Sequence, residues 1–225
     1  MRLKCSVFIL ILLVPLLVSC GNAVEQNAST DSHKTVSRYF DALCEGNFEA
    51  ALSVCAPDSE QYESVKAALK DEYMDSIVGL TSDIDVQKRL KNNVFLNKAY
   101  DIMAEGLFKS YQIADKVSED DKIVIYHVNA SKLGTGVTDI LSFVTSSKAF
   151  TEYYQENQEY VDEMSETDEG TGEILIDFLE KKGQLLTDTY LDAYEEARYY
   201  ENIDYYVTLE QQEDGIWMIT NSESS

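Results

Sequence analysis

Asp204-Tyr205-Tyr206-Val207-Thr208-Leu209, then Glu213-Asp214-Gly215, then Ile216-Trp217-Met218-Ile219-Thr220 is the stretch that decides the fold. Two runs rich in aromatic and β-branched residues flank an acidic-glycine turn, which is the pattern of a β-hairpin. A second pair lies upstream: Tyr111-Gln112-Ile113-Ala114 and Ile123-Val124-Ile125-Tyr126-His127-Val128, with Ser118-Glu119-Asp120-Asp121 as the turn. Elsewhere the apolar period is helical. Val36, Tyr39, Phe40, Leu43 and Cys44 share one face over 32–45, at i, i+3, i+4, i+7 spacing, and Asp31 or Ser32 caps the start. Glu45-Gly46-Asn47 breaks that helix; Phe48, Ala51, Leu52 and Cys55 form a second short one, stopped near Pro57. Residues 59–79 and 84–108 read as further helices, and helices resume at about 138–163 and 172–200 around an acidic Gly/Thr loop from Glu166 to Gly172. Helices, a hairpin, helices and a closing hairpin define an α+β fold. The expected architecture is N-terminal helices on one face of a curved antiparallel sheet of about four strands, with an additional long helical pair before the C-terminal hairpin.

The N-terminus stands apart from this fold. Met1-Arg2-Leu3-Lys4 is a basic start, Ser6 to Val18 is an apolar run interrupted by Pro15, and Leu17-Val18-Ser19-Cys20 closes it. About a dozen apolar residues fall short of the roughly 20 that a spanning helix needs, so the segment reads as a processing signal. Leu-Val-Ser-Cys resembles a bacterial lipobox: an aliphatic residue, a tolerant position, a small residue and an obligatory cysteine. In lipoproteins with this pattern a diacylglyceryl group is attached to the cysteine sulfur and the chain is cut just before it. The resemblance implies a signal peptide over 1–19, lipidation at Cys20, and a mature chain anchored to the extracytoplasmic face of the cell membrane. An ordinary signal peptide cut elsewhere and an uncleaved anchor are the alternatives. Two acyl chains anchor stably where one does so only marginally. Residues 20–32 read as a flexible tether, and 33–225 as a single domain with a helical elaboration at 138–200.

Charge narrows the partners. The 225-residue chain carries 41 Asp and Glu against 18 Lys and Arg, net −23, and loss of 1–19 removes Arg2 and Lys4 to leave −25. Nucleic acid is disfavoured, because its affinity comes largely from Lys and Arg on phosphates; attraction to anionic lipid headgroups is disfavoured too. The acid is concentrated in 151–225, with 21 acids and 3 bases. A run of that kind is ordinarily a solvated helix face; read functionally, it is an outer surface for a cationic partner or divalent ions. With 15 Tyr, 8 Phe and 1 Trp, a sizeable core is feasible.

Val36-Ser37-Arg38-Tyr39-Phe40-Asp41-Ala42-Leu43 with Gly46-Asn47-Phe48-Glu49-Ala50-Ala51, and the closing Val207-Thr208-Leu209 through Asp214-Gly215-Ile216-Trp217-Met218-Ile219, resemble the first helices and last hairpin of the nuclear transport factor 2-like (cystatin-like cone) lipoproteins of Gram-positive bacteria. The likeness covers the ends of the mature chain and its middle loosely. It implies a cone-like domain, and a fold that hosts binding proteins and enzymes alike does not fix function.

Chemistry is sparse. A cone pocket suited to an isomerase or hydrolase needs a buried carboxylate beside a hydrogen-bond donor. The candidates are Asp41, Tyr39, Tyr126 and His127, which form no recognisable catalytic pattern; Tyr39 reads as core and His127 as a strand side chain. Two histidines, and no HExxH, CxxC or GxxxxGK(S/T), give no support for a metal or a cofactor,. The loop Glu166 to Glu173 lacks the spacing and central glycine of a calcium-binding EF-hand. Cys44 and Cys55 lie on adjacent helices; an exported location permits a disulfide, while a buried free cysteine packs as a small apolar side chain. The expected function is a lipid-anchored binding or scaffolding domain without catalysis, its partner an envelope protein or a cell-wall component. The alternative is a small-ligand carrier whose pocket on the concave sheet face is lined by Tyr111, Tyr126, Tyr205 or Trp217.

Anchoring is directly testable. Cys20→Ser should release the protein from the membrane fraction or leave it unprocessed; a variant processed and anchored as before would overturn the lipobox reading.

Overall fold

Four local sequence signals start the first helices of the chain. Asp31 accepts from the His33 N–H at 3.1 Å and begins α1 (Ser32–Cys44). Asn47 accepts from the Ala50 N–H and begins α2 (Phe48–Leu52). Ser59 caps α3 (Glu60–Ala67), and Asp83 caps α5 (Ile84–Lys91). Each supplies an acceptor to backbone donors that the helix itself cannot satisfy. Asn93 does the same for α6 (Val94–Gly106), while α4 (Lys70–Val78) has no side-chain cap. The computed structural model describes residues 30–79, 81–134, 140–167, 170–196 and 200–225. The signal segment, Cys20 and most of the tether therefore lie outside the described residues.

The expected helix over 59–79 is two helices, and so is the one over 84–108. The first break, at Ala68-Leu69, is held from outside: the Tyr100 hydroxyl donates to the Ala68 carbonyl at 2.6 Å, which occupies an acceptor the helix would otherwise use. The second break is the Asn92-Asn93 pair, where Asn97 Nδ2 also donates to the Asn93 carbonyl.

The sheet is β1 (Phe108–Glu119), β2 (Ile123–Leu133), β3 (Tyr200–Gln211) and β4 (Trp217–Ser224), all antiparallel, in the order β1-β2-β3-β4. Register shifts along β1 mark bulges, which bend a strand. Alternation sorts the two faces. Val124, Tyr126, Val128, Val207, Leu209 and Ile219 are buried beneath α1 and α3. The opposite face, paired through Gln112–Asn129–Asp204 and Ile125–Thr208–Asn221, is polar. The edge strand β4 is partly covered, because Ala56 N–H bonds the Ile219 carbonyl at 2.7 Å and Ile219 N–H bonds the Val54 carbonyl at 3.0 Å.

Between β2 and β3 come α7 (Ile140–Ser146), α8 (Lys148–Glu156), α9 (Gln158–Ser165) and α10 (Gly170–Glu196). The first member of the expected helical pair is thus three short helices. One break falls at Ser147, whose hydroxyl caps α8 by accepting from the Phe150 N–H, and the other at Asn157. This elaboration packs on α5 and α6 rather than on the sheet: Tyr190 of α10 meets Phe95 and Phe143 edge-on at 5.9 and 4.8 Å, and Phe178 meets Phe150 at 5.0 Å. Sheet, N-terminal helices and elaboration share one continuous apolar cluster.

Inside the elaboration, the fully buried Tyr153 donates its hydroxyl to Asp177 at 2.5 Å, and Lys181 Nζ lies 2.7 Å from the same carboxylate. Burial works against the Asp177 charge, but the hydrogen bonds from Lys181 and Tyr153 outweigh it and hold the carboxyl below its ordinary value. A lowered folded value stabilises the fold above the unfolded-state pKa, and that contribution is lost as pH falls through the folded value. Asp177→Asn should therefore cost about 1–2 kcal/mol in urea unfolding at neutral pH. The difference from the wild type should close as the pH is taken below about 4; a gap that persists in acid would mean the carboxylate charge is not its source.

Candidate binding groove

The turn between α1 and α2 lies against α6 and makes one side of a groove. Asn47 N–H bonds the Ala42 carbonyl at 2.8 Å, and Gly46 N–H bonds the Leu43 carbonyl at 3.2 Å, which together end α1 in a Schellman motif. Gly46 sits at φ 67°, and a Cβ there would fall 2.8 Å from the Ala104 carbonyl. Only glycine meets both conditions without strain. The other side is the α3–α4 junction, pinned to α6 by the Tyr100 bond to Ala68.

The groove encloses about 640 Å³. Its apolar floor includes Phe48, Leu69, Tyr100 and Ala104, and its walls carry Glu45, Glu49, Asp71, Glu72, Asp101 and Glu105. Lys70 is its one basic residue; Lys70 Nζ lies 2.7 Å from Asp101 and 5.6 Å from the centre of the Tyr100 ring. The other five carboxylates form no ion pair among the described residues. Burial, then the Asp101 charge, pushes the Tyr100 hydroxyl up to about 12, so it stays a neutral donor. Glu49 lies in the first turn of α2, and Asp71 and Glu72 in that of α4, where negative charge also favours the helix. The six acids come from the α1–α2 turn, α2, α4 and α6, and no sequence pattern links them. The one local sign is the Glu45-Gly46-Asn47 break with Glu49 just beyond it.

The acidic run at 151–200 is differently placed. Glu173 and Glu180 face Arg89, Asp177 faces Lys181, and Glu156 faces Lys182. The acids that face α5 and α8 are thus matched by bases, and others, Glu159 and Asp162 among them, lie on the exposed surface. The expected acidic loop falls partly on residues 168–169, outside the described residues. Its Glu173 is taken by Arg89, and among the described residues no group of three or more His, Cys, Asp or Glu is placed to hold a metal ion.

The four acid, tyrosine and histidine candidates do not share a site. Tyr126 and His127 are successive on β2 and point to opposite faces. Tyr126 is buried, its hydroxyl 2.9 Å from Ser32 Oγ. His127 lies on the polar face, with Nε2 2.8 Å from Asp204, Nδ1 3.4 Å from Asp115, and its ring stacked on Tyr206 at 5.3 Å. Hydrogen bonds from Asn129 and His127 hold the Asp204 carboxyl below its usual range. Tyr39 is buried beneath the sheet, and Asp41 accepts from the Tyr111 hydroxyl at 2.8 Å.

Of the four aromatic residues expected around a pocket, Tyr205 alone lines one, a cavity of about 280 Å³ between α1, α3 and the sheet. Tyr111 is instead stacked on Phe40 at 5.2 Å. Trp217 is half-buried, and its carbonyl accepts from Thr35 Oγ1. Tyr126 is closed off by the start of α1. That cavity lies at one end of the sheet, and Tyr111, Tyr126 and Trp217 do not line it. Cys44 and Cys55 are free thiols in this structure. Cys55 is buried, donates Sγ–H to the Ala51 carbonyl, and is pushed up to about 12 by burial. Cys44 is raised by burial, then by Asp41 and Glu45, and neither is an activated thiolate.

No family model matches the chain, and no curated protein and no solved structure is similar to it.

Two glycines separate backbone conformation from packing. Gly215 also has positive φ, 84°, but a Cβ there meets nothing within 4 Å. Gly215→Ala should cost about 1 kcal/mol, and Gly46→Ala at least about 2 kcal/mol because a clash with α6 is added. Denaturant midpoints measure both; equal losses would mean that the turn does not press on α6.

Proposed function

We propose that this protein is a lipid-anchored, extracytoplasmic binding module of a bacterial envelope, acting without catalysis, and that the acidic groove receives a lysine- or arginine-bearing segment of an envelope protein. The observation that carries this reading is the groove itself: six carboxylates around an apolar floor, with one lysine among them. Clefts lined by one sign of charge concentrate ligands of the other, and the floor offers apolar area to the methylene stems of basic side chains.

The place of the groove in the fold supports the same reading. A tether from Cys20 joins the domain at Ser32, the first residue of α1; the groove begins at Glu45, just past its last. Thirteen helical residues span roughly 20 Å, so the groove lies about that far from the start of α1. The lipobox resemblance supplies the address.

Titration with a tetralysine peptide tests the groove. Binding is expected at low salt and should weaken steeply as ionic strength rises. Glu45→Gln, Glu49→Gln and Glu105→Gln combined should reduce the affinity about tenfold or more, while Glu159→Gln with Asp162→Asn should leave it within about twofold. Equal losses in the two variants would reduce the effect to net charge and overturn the groove as the site.

A further inference from the structure

The cavity at the end of the sheet has chemistry opposite to that of the groove, with which it shares only Phe48. We propose that it is a binding site for a small monocarboxylate with an apolar body, and that Lys132 is the counter-ion for the head group.

The walls define the body of such a ligand. Tyr39, Phe40, Leu43, Val65 and Phe108 line the interior and are all buried. The volume, about 280 Å³, equals roughly nine waters at liquid density and sits at the small end of the range for ligand pockets. The rim is polar: Ser64, Ser222 and Ser224 supply hydroxyls.

Lys132 defines the head. Among the described residues it is the only charged one lining the cavity, in a chain with 41 acids and 18 bases. It forms no ion pair among the described residues, and the contact it does make is with the face of Phe108, 5.6 Å from the ring centre. A lysine so placed lays its stem on apolar surface and holds its ammonium at the mouth. One ammonium and no carboxylate select a single negative charge: a cation is repelled, and a dianion keeps one charge unmatched.

A hydroxyl on the wall gives independent support. Gln61 is 8% exposed, and its amide meets the Tyr39 hydroxyl at 2.5 Å. The other polar atom of that amide has no partner among the described residues, and neither has the hydroxyl of Tyr205, whose ring packs on Phe40 at 6.0 Å. The unpaired amide atom is Oε1, an acceptor that a water meets, whereas the Tyr205 hydroxyl on the same wall is a donor that a carboxylate can accept from,.

The test uses the chain from residue 20 onward carrying Cys20→Ser, which removes the need for detergent, and titrates octanoate, octanol and octylamine by calorimetry and amide NMR. Octanoate should bind one to one, at least about tenfold more tightly than octanol, the gain of a single charge-assisted bond. Octylamine should bind no better than octanol. Lys132→Met should bring octanoate down to the level of octanol without changing the octanol affinity. Ser222→Leu, which fills the cavity from the rim, should abolish both while leaving the circular dichroism spectrum intact. Shifts should centre on residues 61, 132, 205 and 222. Absence of octanoate binding, binding indifferent to Lys132→Met in a folded variant, or shifts centred elsewhere would each overturn the site. None of these outcomes depends on the acidic groove or on anchoring.

Discussion

Phe40 is the contact around which the rest of the molecule is arranged. Its ring, 1% exposed, lies between 5.2 and 6.4 Å from those of Tyr39, Phe108, Tyr111 and Tyr205. It joins the middle of α1 to β1 and β3. Aromatic pairs of this kind contribute beyond their buried area, and here they set the position of the helix across the sheet. The consequences run both ways along α1. Toward its start, Ser32 and His33 close over Tyr126, where the tether joins. Toward its end, the Gly46 turn is carried onto α6 and opens the acidic groove. Beside Phe40 itself, Tyr39 and Tyr205 are left as walls of the small cavity.

Charge is compensated unevenly over the molecule. A net charge of −23 can be spread over a surface at little cost when most groups are solvated, and an exposed ion pair contributes little to stability. The helical elaboration follows that rule: Arg89, Lys181 and Lys182 answer some of its acids, and others, Glu159 and Asp162 among them, are exposed to solvent. The groove and the cavity depart from it in opposite senses. Among the described residues, five groove acids lack a basic partner and Lys132 lacks an acidic one. Uncompensated charge beside apolar surface is what a ligand of complementary charge recognises.

Much of the architecture was legible because it is periodic. Val36, Tyr39, Phe40 and Leu43 announce α1, and the Asp214-Gly215 turn announces the last hairpin, since side-chain spacing and turn chemistry are local properties. Strand lengths were less legible. β1 and β3 each run 12 residues, well past their apolar cores, because one face of the sheet is polar and its Ser, Asn, Asp and Thr residues resemble loop sequence. Helix breaks at Ala68 and Asn157 escaped for a related reason: propensity favours continuation, and the interruption at Ala68 is held by Tyr100, 32 positions away.

By itself the sequence determined the class of fold, the strongly acidic surface, and the lipobox-like Leu17-Val18-Ser19-Cys20 that motivates an anchor, since each depends on neighbours in the chain or on composition. Tertiary structure alone decided which residues form sites. Glu45, Asp71 and Asp101 meet because the end of α1 and the start of α4 converge on the side of α6, and Tyr39, Gln61, Lys132 and Tyr205 meet because α1 and α3 close over one end of the sheet. The separation of Tyr126 from His127, by contrast, follows from strand alternation and is local. Convergence of distant residues depends on packing geometry, and no spacing along the chain encodes it.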